Sequence, residues 1–280
     1  MKRTLLLCFA ASLLAPAALL AEAKTEADKM MAEHQHDKPT ASPAAVAQPA
    51  QPVVGEEVTY GEIGGKPLKG YLAHPKATAK GPRPALLVIH EWWGLNDNIR
   101  AMTRRLAGEG YTALAVDLYD GQVATDPDKA KQLMSQVLGN LPAGAAVIKA
   151  AHAHLKKAGA SKIGVIGWCF GGGWSLQTAL LVPEGIDATI IYYGHLETDK
   201  AKLAILKSPI LGFFGALDGS IPADSVNAFE KTLKELGKSV EVHIYPGANH
   251  AFANPSGGAY NAAAAEDAWK RTVPFFKKYL

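Results

Sequence analysis

A chain of 280 residues with 48% hydrophobic and 20% charged side chains is long enough for one large α/β domain or two small ones, and its composition is that of a soluble globular protein. A formal net charge of +3 is too small to argue for a nucleic-acid or anionic-membrane partner, and no nucleic-acid-binding module is recognisable. Two cysteines, Cys8 and Cys169, exclude a disulfide-rich scaffold.

The first 23 residues, MKRTLLLCFAASLLAPAALLAEA, have the three parts of a secretory signal peptide. Lys2 and Arg3 form the positive region, Thr4 to Leu20 the apolar region interrupted by Pro16, and Ala21-Glu22-Ala23 a small-x-small cleavage site. The apolar stretch is short for a membrane span, so cleavage is expected rather than a stable anchor. An exported, periplasmic protein follows from this reading. Cleavage would leave Cys169 as the only thiol, carried unpaired into an oxidising compartment.

Residues 24–54 are rich in Ala, Pro, Gln, Glu and Lys without an aromatic side chain or a sustained apolar period, and read as a disordered linker. His34 and His36 in this stretch read as solvated polar residues, and no metal site is assigned. The folded domain is expected over residues 55–280. EVTYGEI and LKGYLAHP flank Gly64-Gly65 as an antiparallel hairpin. PALLVIH is then a buried strand, Asn98 to Gly110 a helix, and YTALAVDLY a second strand. Helices are expected from Asp126 to Leu138 and from Pro142 to Lys157. KIGVIG, a helix from Phe170 to about Val182, ATIIYYG, PILGFFG, a helix from Pro222 to Leu236, VEVHIYPG and a last helix from Tyr260 to Lys278 complete the chain. Unbroken apolar strands alternating with amphipathic helices imply an α/β fold of about eight strands, mainly parallel, with helices on both faces.

Ligands of such sheets bind beyond the carboxyl ends of the strands. KIGVIG ends at Gly167-Trp168-Cys169-Phe170-Gly171, the nucleophile-elbow pattern with a thiol in place of the hydroxyl. Its glycines leave room for a tight turn, and a thiol at a helix N-terminus is biased towards thiolate. PILGFFG ends at Asp218 and VEVHIYPG at His250. Nucleophile, acid, then base is the chain order of α/β-hydrolases. The three types belong together chemically: the thiolate attacks a carbonyl, the histidine manages the proton, and the aspartate fixes its tautomer.

With HEWWGLN (His90 to Asn96), DLY (Asp117 to Tyr119), GWCFGG (Gly167 to Gly172), Leu217-Asp218 and NHAF (Asn249 to Phe252), the chain resembles the dienelactone hydrolase family from about Gly55 to its end. The resemblance implies an α/β-hydrolase fold, no cofactor, and a small ester or lactone substrate cleaved through an acyl-cysteine. It makes Cys169 the nucleophile, His250 the base and Asp218 its orienter. Glu91 would hold the resting thiol and take its proton. Backbone N–H groups of Phe170 and Trp92 would form the oxyanion hole. Trp93, Tyr119, Tyr192 and Phe252, aromatic residues near strand ends, are the expected pocket lining. The family's dienelactone-cleaving members hold the substrate carboxylate with arginines after D-L-Y and after the histidine. Here those places read Asp120-Gly121-Gln122 and Ala251-Phe252-Ala253-Asn254, which points to a substrate other than dienelactone. Thioesterase, acyltransferase or peptidase chemistry on the same triad, or a non-catalytic binding or redox module, are the competing readings.

Overall fold

The computed structural model describes residues 16–35, 37, 48–77 and 81–280. The positive region and most of the apolar region of the expected signal peptide lie outside the described residues. A first helix, α1, spans Pro16–His34. The hairpin strands follow as β1 (Val53–Ile63) and β2 (Lys66–Pro75), then β3 (Ala85–Ile89), α2 (Asp97–Gly108), β4 (Thr112–Val116), α3 (Pro127–Leu138) and α4 (Leu141–Lys157). The second half runs β5 (Ile163–Trp168), α5 (Phe170–Leu181), β6 (Ala188–Tyr192), a short α6 (Lys200–Leu203), β7 (Ile210–Gly215), α7 (Ala223–Glu235), β8 (Val240–Tyr245) and α8 (Ala262–Tyr279).

Eight strands form one sheet in the order β1-β2-β4-β3-β5-β6-β7-β8. β1, β2 and β4 pair antiparallel, and every pair from β4 to β8 is parallel. Strands β3, β5, β6 and β7 are buried at every position, as expected of strands covered on both faces. α2 and α8 share a face, where the Arg105 guanidinium lies 3.7 Å above the Trp269 ring. α4 and α5 pack against each other.

The helix starts follow the sequence. Asn96, Asp126 and Asn140 each accept a backbone N–H with the side chain, from Ile99, Lys129 and Ala143, satisfying donors that a helix end otherwise leaves open.

The linker expectation differs from the structure in two places. β1 begins at Val53, inside the expected linker. More consequentially, residues 24–34 are the second half of α1, not disordered chain. Ala27, Met30, Met31 and His34 recur at i, i+3, i+4 and i+7; Ala27, Met30 and His34 are buried and Met31 partly so. Two helical turns are too short for that stripe to stand out in a window full of alanine and charge. α1 packs on α3, with an exposed Lys131–Asp28 ion pair at 2.5 Å between them. His36 and residues 38–47 of the linker lie outside the described residues. No helix among the described residues is long and apolar enough to cross a membrane.

Candidate active site

β5 ends in a turn with no room for a side chain at Gly167 or Gly171. A Cβ on Gly171 would stand 2.2 Å from the Ile89 carbonyl oxygen and 2.5 Å from that of His90. This lets α5 start hard against the end of β3. Cys169 occupies the tip at φ 56°, ψ −120°, a left-handed conformation that costs a non-glycine residue energy and clusters at functional sites. Its N–H donates to the Tyr192 carbonyl at 3.0 Å, and its carbonyl accepts from Gly173 at 3.2 Å. Phe170, next in line, opens α5, so its N–H is one of those a helix cannot satisfy internally. Trp92 is buried in the turn after β3.

The acid and the histidine meet as the sequence implied. His250 Nδ1 lies 2.8 Å from Asp218 Oδ2, both side chains fully buried. The other Asp218 oxygen, Oδ1, accepts the N–H groups of Ser220 and Ile221, each at 2.8 Å. One carboxylate thus organises its own turn with one oxygen and orients the imidazole with the other. That leaves His250 Nε2 buried and without a hydrogen-bond partner among the described residues.

Cys169 is 2% exposed, and what covers it is α1. Met30 Sδ stands 3.4 Å from Cys169 Sγ. The His34 ring lies 4.9 Å from that of Trp92 and 5.4 Å from that of His250. His34 Nδ1 is paired to Asp37 Oδ2 at 2.8 Å, and Asp37 Oδ1 accepts the Gly258 N–H at 3.1 Å, which ties the end of α1 to the loop after His250. The reading of His34 as a solvated tail residue is therefore corrected: it is 3% exposed, in the centre of the site.

These neighbours set the charges. Burial pushes the Cys169 thiol up, but His250 and His34 together outweigh it and bring it to about 6. Burial pushes His34 down, and Asp37 and the Cys169 sulfur raise it to about 8. His250 is likewise opposed by burial and lifted well above the usual imidazole range by Cys169 and Asp218. A thiolate beside an imidazolium is the resting state this favours.

Glu91 is buried at 5% exposure. Its Oε2 accepts from Asn254 Nδ2 at 2.7 Å, and Asn254 Oδ1 in turn accepts from Ser256 N–H and Oγ. Burial, then the charge of Cys169, push the Glu91 carboxyl up to about 8. His90 is a strut: its Nδ1 lies 2.6 Å from the Glu91 carbonyl, and its Nε2 accepts the Leu118 N–H at 3.1 Å. A carbonyl can only accept and an amide only donate, which fixes the Nδ1-protonated neutral tautomer.

Of the expected pocket residues, Trp93 packs against Trp92 and His34, Tyr119 against His90 and Phe170, and Phe252 against Tyr193 and Tyr245. Tyr192 does not belong with them. Its hydroxyl bonds Thr272 on α8 at 2.7 Å and its ring packs on Trp168 and Phe213, so it is core on the far face. Alternation along a strand sends the next residue the other way. Tyr193, at φ 38°, has its ring 5.3 Å from that of His250. Asn254, Tyr193, Met30, His34 and Asp37 are the site residues that sequence reasoning missed. The i, i+4 spacing of Met30 and His34 was the available signal for the last group. Cavities of about 250 and 430 Å³ lie beside Leu118 and Asp120, and neither touches Cys169.

Residues 68–280 match the profile of the "Dienelactone hydrolase family". A protein of Saccharolobus solfataricus named "Putative carboxymethylenebutenolidase" is 36% identical over 263 residues, covering 80% of this chain and 98% of its own. "Protein usf" of Aquifex pyrophilus is 36% identical over 235 residues, covering 81% of this chain and all of its own. Among solved structures, a "Putative Dienelactone Hydrolase" from Klebsiella pneumoniae subsp. pneumoniae superposes with a TM-score of 0.73 at 28% identity, over 82% of this chain and all of the other. By profile, relatives and the order of its sheet, the chain belongs to the dienelactone hydrolase family, carboxylic ester hydrolases of the α/β-hydrolase fold.

Proposed function

We propose that the protein hydrolyses a small ester or lactone through an acyl-cysteine intermediate on Cys169, His250 and Asp218. The observation that carries this is the 2.8 Å Asp218–His250 pair beside a thiol held at the tip of an elbow. Cys169 attacks the carbonyl carbon as thiolate, and the developing oxyanion is received by the N–H groups of Phe170 and Trp92, each such donor being worth about 3–4 kcal/mol. His250 gives its proton to the departing alkoxide, then takes one from the water that cleaves the thioester. Asp218 holds the imidazole throughout. Glu91, whose carboxyl burial and the Cys169 charge push up to about 8, is held by Asn254 and positions the thiol side of the site.

Two features qualify the substrate. The carboxylate-clamping arginines are absent from both expected places, and Trp92, Trp93 and Tyr193 pack against the two histidines, His34 and His250, that flank Cys169. An uncharged, partly aromatic ester suits them. Substrate also has to displace the end of α1. Activity in the periplasm after export, with residues 1–23 removed, belongs to the same proposal and rests on the N-terminal sequence pattern.

The test is p-nitrophenyl ester hydrolysis with intact-mass detection of an acyl adduct. A burst of p-nitrophenol and an adduct on Cys169 are expected, both lost in Cys169→Ala and His250→Ala. Undiminished turnover by Cys169→Ala would sink the proposal.

A further inference from the structure

The side chains gathered over the elbow are also a set of soft metal ligands. Cys169 Sγ and one ring nitrogen each from His34 and His250 lie within 4.8 Å of one another, all three side chains buried. The Nδ1 atom of each ring is taken by a carboxylate at 2.8 Å, Asp37 for His34 and Asp218 for His250. The remaining Nε2 atoms are both buried with no hydrogen-bond partner among the described residues. Two carboxylate–histidine pairs presenting free Nε2 atoms to one centre is the second-shell arrangement of histidine metal ligands, which fixes tautomer and ring direction. Met30 Sδ, 3.4 Å from Cys169 Sγ, adds a second sulfur.

We propose that Met30, His34, Cys169 and His250 form a binding site for one soft metal ion, Cu(I) in first place, which locks α1 onto the elbow and withdraws the nucleophile. The geometry is near what an ion requires. Ligand atoms of a tetrahedral site with metal–sulfur bonds of about 2.3 Å and metal–nitrogen bonds of about 2.0 Å stand about 3.3–3.8 Å apart. The two sulfurs are already that close at 3.4 Å, and the ring nitrogens, within 4.8 Å, need to close by about 1.5 Å at most. The donors choose the ion: a thioether and a thiolate favour Cu(I), whereas zinc sites are built from thiolate, imidazole and carboxylate. One thiolate with three neutral ligands also balances a single positive charge. On binding, the Nε2 protons carried by the charged imidazoles of His250 and His34 leave to solvent, and the Cys169 thiolate and the two freed ring nitrogens each share a lone pair with the ion, with no change in oxidation state.

A triad alone explains Asp218 on His250. It does not explain Asp37 on His34, nor a thioether against the nucleophile. Both come from α1 and the turn just after it, within the chain that the expected cleavage after Ala23 would leave. The ion would therefore bridge α1 to the catalytic domain, making the hydrolase a form silenced by copper and released when copper is withdrawn.

The test uses the full chain, reduced and metal-free, with Cys8→Ser in every variant so that Cys169 is the only thiol. Cu(I) is titrated anaerobically against a chromophoric Cu(I) chelator, with Zn(II) in a parallel series. One Cu(I) per chain is expected, with an ultraviolet thiolate-to-metal band. Affinity should fall about ten-fold or more in each of His34→Ala and Met30→Leu and disappear in Cys169→Ala. Circular dichroism checks that each variant is folded. Absence of stoichiometric Cu(I) binding, affinity unchanged in His34→Ala, or tighter binding of Zn(II) than of Cu(I) would each overturn the proposal. Because the readout is binding, it stands or falls independently of ester turnover.

Discussion

Cys169 sits in a backbone conformation that favours glycine, and its sulfur is flanked by two imidazoles. The thiol is therefore expected to ionise near pH 6, and the rate of iodoacetamide alkylation should rise through that pH. His34→Ala removes one of the two stabilising rings, so the midpoint should move upward; an unchanged midpoint would show that His34 does not act on the sulfur. Asn254 supports the other buried acid. Asn254→Ala leaves the Glu91 carboxyl without its donor, which costs about 1–3 kcal/mol and lowers the melting temperature by about 2–4 °C per kcal/mol. Thermal unfolding of the two proteins checks this. Cys169, Asp218 and His250 were legible in the sequence because each ends an apolar strand. Asn254 was not, since an asparagine in a loop carries no pattern, and its value comes from a carboxylate 163 positions away.

The elbow and α1 are the two elements that decide access. Gly171→Ala would press a methyl group against backbone oxygens that cannot move aside, at a cost of about 1–3 kcal/mol, read as a lower denaturation midpoint in urea. Removing residues 24–37 should do the reverse to reactivity. Cys169 is 2% exposed beneath α1, so a bulky maleimide reacts only in the fraction of time that α1 is displaced. Deletion is expected to speed labelling about ten-fold or more, and equal rates would mean that α1 does not cover the thiol in solution. The elbow was readable because its glycines and cysteine are contiguous. α1 was hidden because its two-turn stripe uses alanine, methionine and histidine, and gains its meaning from a cleft built by residues far along the chain.

Across the whole molecule, the strand and helix alternation foretold eight strands, the antiparallel hairpin and the parallel remainder, with element ends within a few residues. Which strands neighbour one another, and that Tyr192 faces α8 while Tyr193 faces the site, depend on packing across the sheet. That packing can be tested at Arg105, whose guanidinium joins α2 to α8 over Trp269. Arg105→Ala should cost about 1–2 kcal/mol of stability, seen as a shift in the urea midpoint with an unchanged slope. The continuity of α1 has a temporal consequence. Ala21-Glu22-Ala23 lies within an unbroken helix, whereas a peptidase grips its substrate as extended chain, strand against strand. Under the export reading, the leader has to be cut while this stretch is still uncoiled. Trimming thus precedes docking, and the thiol crosses the membrane uncovered, to be shielded only once the shortened chain coils its new first residues over it.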